Sequence, residues 1–164
     1  MPETLTTSQL LANQYEPKRK FRWMLQIDGV DAFTLKTAAR PQMTFEETVI
    51  DYINTKRYVS GKMAWNPITM TLHDPVAPAA SGKIMDWVRL NFEMLTGRMG
   101  YAAWYKKDIS LKILDPVGTV VELWDLKGAW VQDSNFGDLD YASSDNLEIT
   151  AIIRFDQAIL QMSA

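Results

Sequence analysis

The sequence predicts a mainly β fold: a β-sandwich or β-barrel of about eight antiparallel strands with one flanking α-helix. Three observations predict it. Segments that alternate apolar and polar residues recur along the chain, and a period of two marks a strand with one face buried. Turn-forming residues separate these segments at strand-length intervals. Only one stretch carries apolar residues at helical spacing. With 164 residues, 47 % of them hydrophobic, the chain can close one core without staples.

Residues 1–20 are polar, weakly periodic and end in Lys18-Arg19-Lys20; they read as an arm with one helical turn near Ser8 to Asn13, ahead of a domain at 21–164. Phe21, Trp23, Leu25 and Ile27 share one side of a first strand, and Asp28-Gly29-Val30-Asp31 is a hairpin-grade turn into a second strand, Ala32 to Ala38. Arg40-Pro41 breaks that strand. A long hairpin at 42–62 follows, with strands Phe45 to Tyr52 and Arg57 to Met63 around Asn54-Thr55-Lys56. Much of it is polar on both faces, so it needs a partner outside its own core to be ordered. Ile68, Met70 and Leu72 face inward on the next strand, which ends at His73.

The helix is expected at about 78–96. Pro78 suits its first position and Ser81 is a second candidate cap. Ile84, Val88, Phe92 and Leu95 form its apolar stripe, flanked by Met85, Trp87 and Met94; Asp86, Arg89 and Glu93 lie opposite, and Gly97 stands where a helix-ending glycine would. Strands Ile109 to Leu114 and Val120 to Leu126 pair around Asp115-Pro116-Val117-Gly118. Another strand runs to Val131. A polar connection from Asn135 to Asp145 then leads to the most complete alternation in the chain. There Leu147, Ile149, Ala151, Ile153 and Phe155 oppose Glu148, Thr150, Ile152, Arg154 and Asp156.

Catalytic machinery cannot be assembled from these residues. His73 is the sole histidine and there are no cysteines, so neither a zinc site nor a nucleophile–base–orienter set is available. Glu46 and Glu47 are neighbours on a strand and point to opposite faces, which excludes a carboxylate pair. Asp138, Asp140 and Asp145 match a calcium loop in composition alone. Gly97 and Gly100 around Arg98 do not follow a strand into a helix, so no phosphate loop is indicated. No enzyme activity and no cofactor are expected. A net charge of −3 argues against a general nucleic-acid binder. No signal-type apolar segment and no apolar run of membrane-spanning length is visible, so the expectation is assembly in the cytoplasm without membrane insertion. Six tryptophans are spread over the elements. Trp65 and Trp104 lie in or beside loops and are the candidates for interface anchors.

Several passages carry a family likeness. They are the opening strand with its Asp28-Gly29 turn, and Lys36-x-x-x-Arg40-Pro41 leading into the hairpin with Asn54-Thr55-Lys56-Arg57. The strand ending His73-Asp74 follows, before a helix with Asp86-Trp87. The strongest are Lys106-Lys107-Asp108 to Gly128-x-Trp130, and Asn-Phe-Gly-x-Leu-Asp-Tyr from Asn135 to the closing Arg-Phe-Asp at Asp156. In this order, from about Phe21 to Ile159, the chain resembles the tail tube proteins of contractile-tailed bacteriophages, whose fold recurs in type VI secretion tubes and contractile injection systems.

The resemblance implies a structural subunit that forms hexameric rings. The rings stack into a hollow tube inside a contractile sheath, between a baseplate tube initiator and a tail terminator, and genome DNA passes through without specific binding. It implies a place in the virion tail tube after assembly in the host cytoplasm. Six copies of a −3 chain carry about −18, which would repel phosphates in the lumen. It further implies that the hairpin, through Glu46, Glu47, Tyr52, Asn54, Lys56, Arg57 and Tyr58, contacts neighbouring subunits or rings. Candidate lumen-facing acids are Glu46, Asp51, Glu122 and Glu148. The alternative within the same class is an inner-tube subunit or tube-end adaptor of a headless injection system that delivers protein effectors. From a different class, a β-barrel holding a small apolar ligand would be a monomer with a deep cavity.

Overall fold

The alternating segments become strands. The computed structural model describes residues 7–11 and 14–162. Its elements begin with α1 (Thr7–Leu10), β1 (Trp23–Ile27), a 3-10 turn (Ala32–Thr34) and β2 (Leu35–Ala38). The hairpin strands β3 (Gln42–Tyr52) and β4 (Thr55–Asn66) come next, then β5 (Ile68–His73) and α2 (Ala80–Asn91). The short β6 (Phe92–Glu93), β7 (Arg98–Met99) and α3 (Ala102–Tyr105) precede β8 (Lys107–Leu114), β9 (Val120–Asn135), β10 (Glu148–Arg154) and β11 (Gln157–Met162). The expected helical turn near Ser8 is α1, and its expected end at Asn13 lies outside the described residues.

Seven antiparallel strands join in the order β1-β8-β9-β10-β5-β2, with β11 paired to β9 as well. The 16-residue β9 serves two layers: residues 120–129 pair with β8, residues 122–127 with β11, and residues 130–135 with β10. Sequence reading divides this stretch at Gly128; the structure makes it one strand with a bulge. Gly128 has φ 67, and a Cβ there would lie 2.3 Å from the Asp156 carboxylate, so glycine alone fits the bulge. Its N–H donates to Asp108, whose carboxyl is held below the usual carboxylate range by Lys127 and by this bond, against a smaller effect of burial. The last strand, β11, was not expected.

Inside the layers lie Leu25, Ile27, Ile68, Met70, Leu72, Ile109, Leu111, Leu126, Ile149, Ala151, Ile153 and Phe155. Each large aliphatic among them contributes about 1.5–3 kcal/mol by leaving water. The expected inward sets on β5 and β10 are thus buried, except Leu147, which is exposed just ahead of β10. Phe21 also lies outside its strand and is exposed.

The expected hairpin between β1 and β2 does not form. Gly29 turns the chain with φ 84 and one Ile27–Val30 bridge, but the 3-10 turn redirects it, and β2 pairs with β5 while β1 pairs with β8. The helix is shorter than expected. Asp74 Oδ1 accepts the Ser81 N–H at 3.2 Å, so a distant carboxylate caps the first turn and Ser81 does not. Ile84 and Trp87 are buried on the core. At Phe92 the backbone becomes extended, with φ −140 and ψ 115, and β6 pairs with β7. Phe92 and Leu95 are therefore exposed, and Gly97, at φ 70, closes this small hairpin through its N–H to the Glu93 carbonyl. Gly100 follows, where a Cβ would lie 2.0 Å from the Leu90 carbonyl oxygen.

Candidate assembly interface

The β3–β4 hairpin is built by β-favouring residues after Pro41 and closes through a two-residue turn, Ile53-Asn54, between the paired Tyr52 and Thr55. It is longer than the expected 42–62, reaching Asn66. Ile53 sits at the tip with φ 38 and is fully exposed. A β-branched residue in that conformation is strained. Every residue of β3 is exposed, and so is β4 as far as Ala64.

Register separates its two faces. One carries Met43, Phe45 and Val49 beside their partners Trp65, Met63 and Tyr58, with Glu47 and, at the tip, Asp51 and Lys56 3.9 Å apart. The other carries Glu46, Thr48, Ile50 and Tyr52 beside Val59, Arg57 and Thr55; the Arg57 guanidinium lies 5.5 Å from the Tyr52 ring centre. A bulge between Phe45 and Glu47 preserves this division, with Gly61 opposite Glu46 because a Cβ there would come 3.1 Å from that of Glu46. The reading of both faces as polar is thus corrected: one face bears six large apolar side chains. They were obscured because the bulge shifts the alternation on β4 by one residue.

The aromatic candidates differ. Trp65, at the hairpin base, is half-buried with its ring 5.9 Å from Phe155, so it braces the hairpin on the core; its buried indole N–H has no partner among the described residues. Trp104 on α3 is 60 % exposed and stacks edge-on against Tyr101 at 4.9 Å. In the segment leading to it, Met94, Leu95, Met99 and Tyr101 are exposed too. Sequence reading missed the exposure of Leu95 because Leu95 fits the helical stripe.

The four acids also divide. Glu46 and Asp51 are exposed on the hairpin. Glu148 is bonded by Lys36; that bond holds its carboxyl below the usual range against a smaller burial effect, helped by the charges of Lys36 and His73. Glu122 corrects the expectation that it faces a lumen: it is 1 % exposed. Its carboxylate accepts hydrogen bonds from Lys18 Nζ, from Arg40 Nη2 at 2.7 Å and from Trp124 Nε1 at 2.6 Å. Burial alone would raise its pKa. The Lys18 and Trp124 bonds and the charges of Arg40 and Lys18 together outweigh burial and hold it below the ordinary glutamate value. Among the described residues no three His, Asp or Glu side chains cluster in a metal-binding arrangement, and His73 is exposed at the end of β5. No described helix is long and apolar enough to cross a membrane.

No protein-family model matches the chain, and no curated protein matches it by sequence. Solved structures do match by fold. A chain of the PVC sheath–tube complex, from an extracellular contractile injection system in its extended state, is 16 % identical, with 98 % of this chain and 100 % of that one covered and a TM-score of 0.71. The tube-terminating cap of the anti-feeding prophage is 17 % identical, with 93 % and 95 % covered and a TM-score of 0.72. Hcp1 from Flavobacterium johnsoniae is 15 % identical, with 87 % and 97 % covered and a TM-score of 0.54. At these identities the shared property is the fold, and it is the tail-tube-like β fold found in tube and cap components of contractile injection systems and in Hcp.

Proposed function

We propose that this protein is a structural, non-enzymatic tube subunit of a contractile apparatus, closing into hexameric rings that stack inside a sheath between a baseplate initiator and a terminator. The observation that carries the proposal is the β3–β4 hairpin. It is exposed on both faces as far as Ala64, yet lines up Met43, Phe45, Val49, Tyr58 and Met63 on one of them. An isolated two-stranded ribbon is marginal in water, and such a surface is stabilised by burial against a neighbour. Glu46, Glu47, Tyr52, Asn54, Lys56, Arg57 and Tyr58 contact adjacent subunits or rings in this reading, Trp104 anchors a second contact, and residues 1–20 act as an arm. Glu46, Asp51 and Glu148 are the acids that remain available to a lumen.

Two settings fit. In a phage tail the tube conducts genome DNA, and a net charge of −3 per copy keeps phosphates from sticking. In a headless system the chain is an inner-tube subunit or tube-end adaptor. Sheath–tube, baseplate and cap chains of this fold in the PVC and anti-feeding prophage structures support that second setting. Capsid and portal genes beside its own, or their absence, separate the two.

The test is negative-stain electron microscopy over a rising concentration series. Hollow six-fold rings or rods are expected. Replacing residues 51–56 with a two-residue Asn-Gly turn joins the Ile50–Arg57 pair directly, so the fold should persist while stacking is abolished. Long tubes from the shortened chain would remove the hairpin from assembly. Wild-type monomers with a ligand-filled cavity would favour the barrel-type binding module instead.

A further inference from the structure

We infer that the cleft between β1 and β2 is the docking site for the acidic loop 136–147 of a second copy of this chain; the inference rests on the self-assembly proposed above. The cleft exists because β1 pairs only with β8 and β2 only with β5, leaving two unmatched sheet edges. About 520 Å³ opens between them, over Trp23, Ala38, Leu111 and Ile113. Six of the chain's 17 Lys and Arg residues line it: Lys18, Arg19, Lys20, Arg22, Lys36 and Arg40. Among the described residues no acidic side chain does.

These cations are only partly neutralised. Lys18 and Arg40 share the single carboxylate of Glu122, Arg22 meets Glu16, and Lys36 meets Glu148. Arg19 and Lys20 have no carboxylate partner among the described residues. Roughly three positive charges are left over an apolar floor, a combination that favours an acidic segment carrying apolar side chains.

The chain itself supplies one. Between Lys127 and Arg154 it has Asp133, Asp138, Asp140, Asp145 and Glu148 and no basic residue. The loop 136–147 is exposed except for the half-buried Phe136, and Leu139 and Tyr141 stand clear of their own molecule. The hairpin is a poorer match, since Lys56, Arg57 and Lys62 balance Glu46, Glu47 and Asp51. A loop of one copy in the cleft of the next is a head-to-tail contact. It leaves a free loop and a free cleft at the two ends, as propagation around a ring or along a stack requires.

The experiment is a charge exchange. Arg19→Glu with Lys20→Glu reverses the cleft; Asp138→Lys with Asp145→Lys reverses the loop. Among the described residues no side-chain bond of these four is seen, so melting temperatures should match the wild type. In sedimentation velocity each variant alone should need a concentration about tenfold or more higher than wild type to assemble. Mixed one to one they should recover wild-type assembly, because each then meets its complement in alternation. Variants that assemble like the wild type would overturn the inference while leaving the tube reading intact. So would loss in the cleft variant alone, which would assign the cleft to another anion, or mixing without rescue. A wild type that never assembles would overturn the tube reading instead.

Discussion

Replacing Trp87 by alanine is expected to lower the unfolding free energy by about 3–5 kcal/mol, the range for removing a buried aromatic from a packed core. Trp87 is 2 % exposed and belongs to the same cluster as Ile84, Ile109 and Phe155. Its indole N–H donates to the Tyr105 carbonyl at 2.7 Å, which ties α2 to α3, and the Lys107 ammonium lies 5.2 Å from its ring centre. Alanine removes all three contributions and leaves a void that the sheet beneath cannot fill. Phenylalanine keeps most of the volume and loses the hydrogen bond, so it should cost about 1–2 kcal/mol. Urea unfolding of the two variants provides the measurement. An unchanged midpoint in the alanine variant would show that α2 does not cover the core as described.

Trp87 also shows what was legible in the sequence. A side chain on the buried face of a helix follows from a local period, and so do Ile68, Met70 and Leu72 or Ile149, Ala151 and Ile153 on their strands. The hairpin was legible as an element, and so was its lack of core positions along most of its length. Local periods fail where a contact is not local. Phe92 and Leu95 continue the helical stripe, but the backbone turns extended at Phe92 and presents Leu95 to solvent. The pairing of β1 with β8 rather than β2 is decided some 80 residues away in sequence, where Leu25 meets Leu111. Alternation reads Glu122 as polar and therefore outward. Its burial depends on Lys18 and Arg40, 104 and 82 residues distant, which no pattern around position 122 announces. The candidate interface divides in the same way: the exposed hairpin could be found, whereas the β1–β2 cleft exists only once the sheet order is known.

Substituting Glu122 by alanine is expected to cost about 2–3 kcal/mol, most of it from bonds to charged partners. The cost stays below that of breaking a fully buried ion pair because the Lys18 and Arg40 side chains are 44 % and 60 % exposed and can rehydrate. Glutamine should fall between alanine and wild type, since it still accepts from Trp124 but carries no charge. The pH dependence has a definite sign. The folded-state pKa of Glu122 is lowered, so its charged contribution is complete above the unfolded value of about 4.3 and is lost as pH falls through the lower folded value. The stability gap between wild type and Glu122→Gln should therefore be widest at neutral pH and narrow in acid; a gap that persists undiminished in acid would show that the charge is not its source. The consequence reaches assembly. Arg40 is two residues from the first residue of β3, and Lys18 is in the N-terminal arm, so one carboxylate fixes where both leave the body of the fold. Glu122→Gln should accordingly speed tryptic cleavage at Lys18 to Lys20 and weaken ring stacking at a melting temperature that still keeps the chain folded. Normal stacking with accelerated cleavage would confine the role of Glu122 to the arm and leave the hairpin oriented by Trp65 and Phe155.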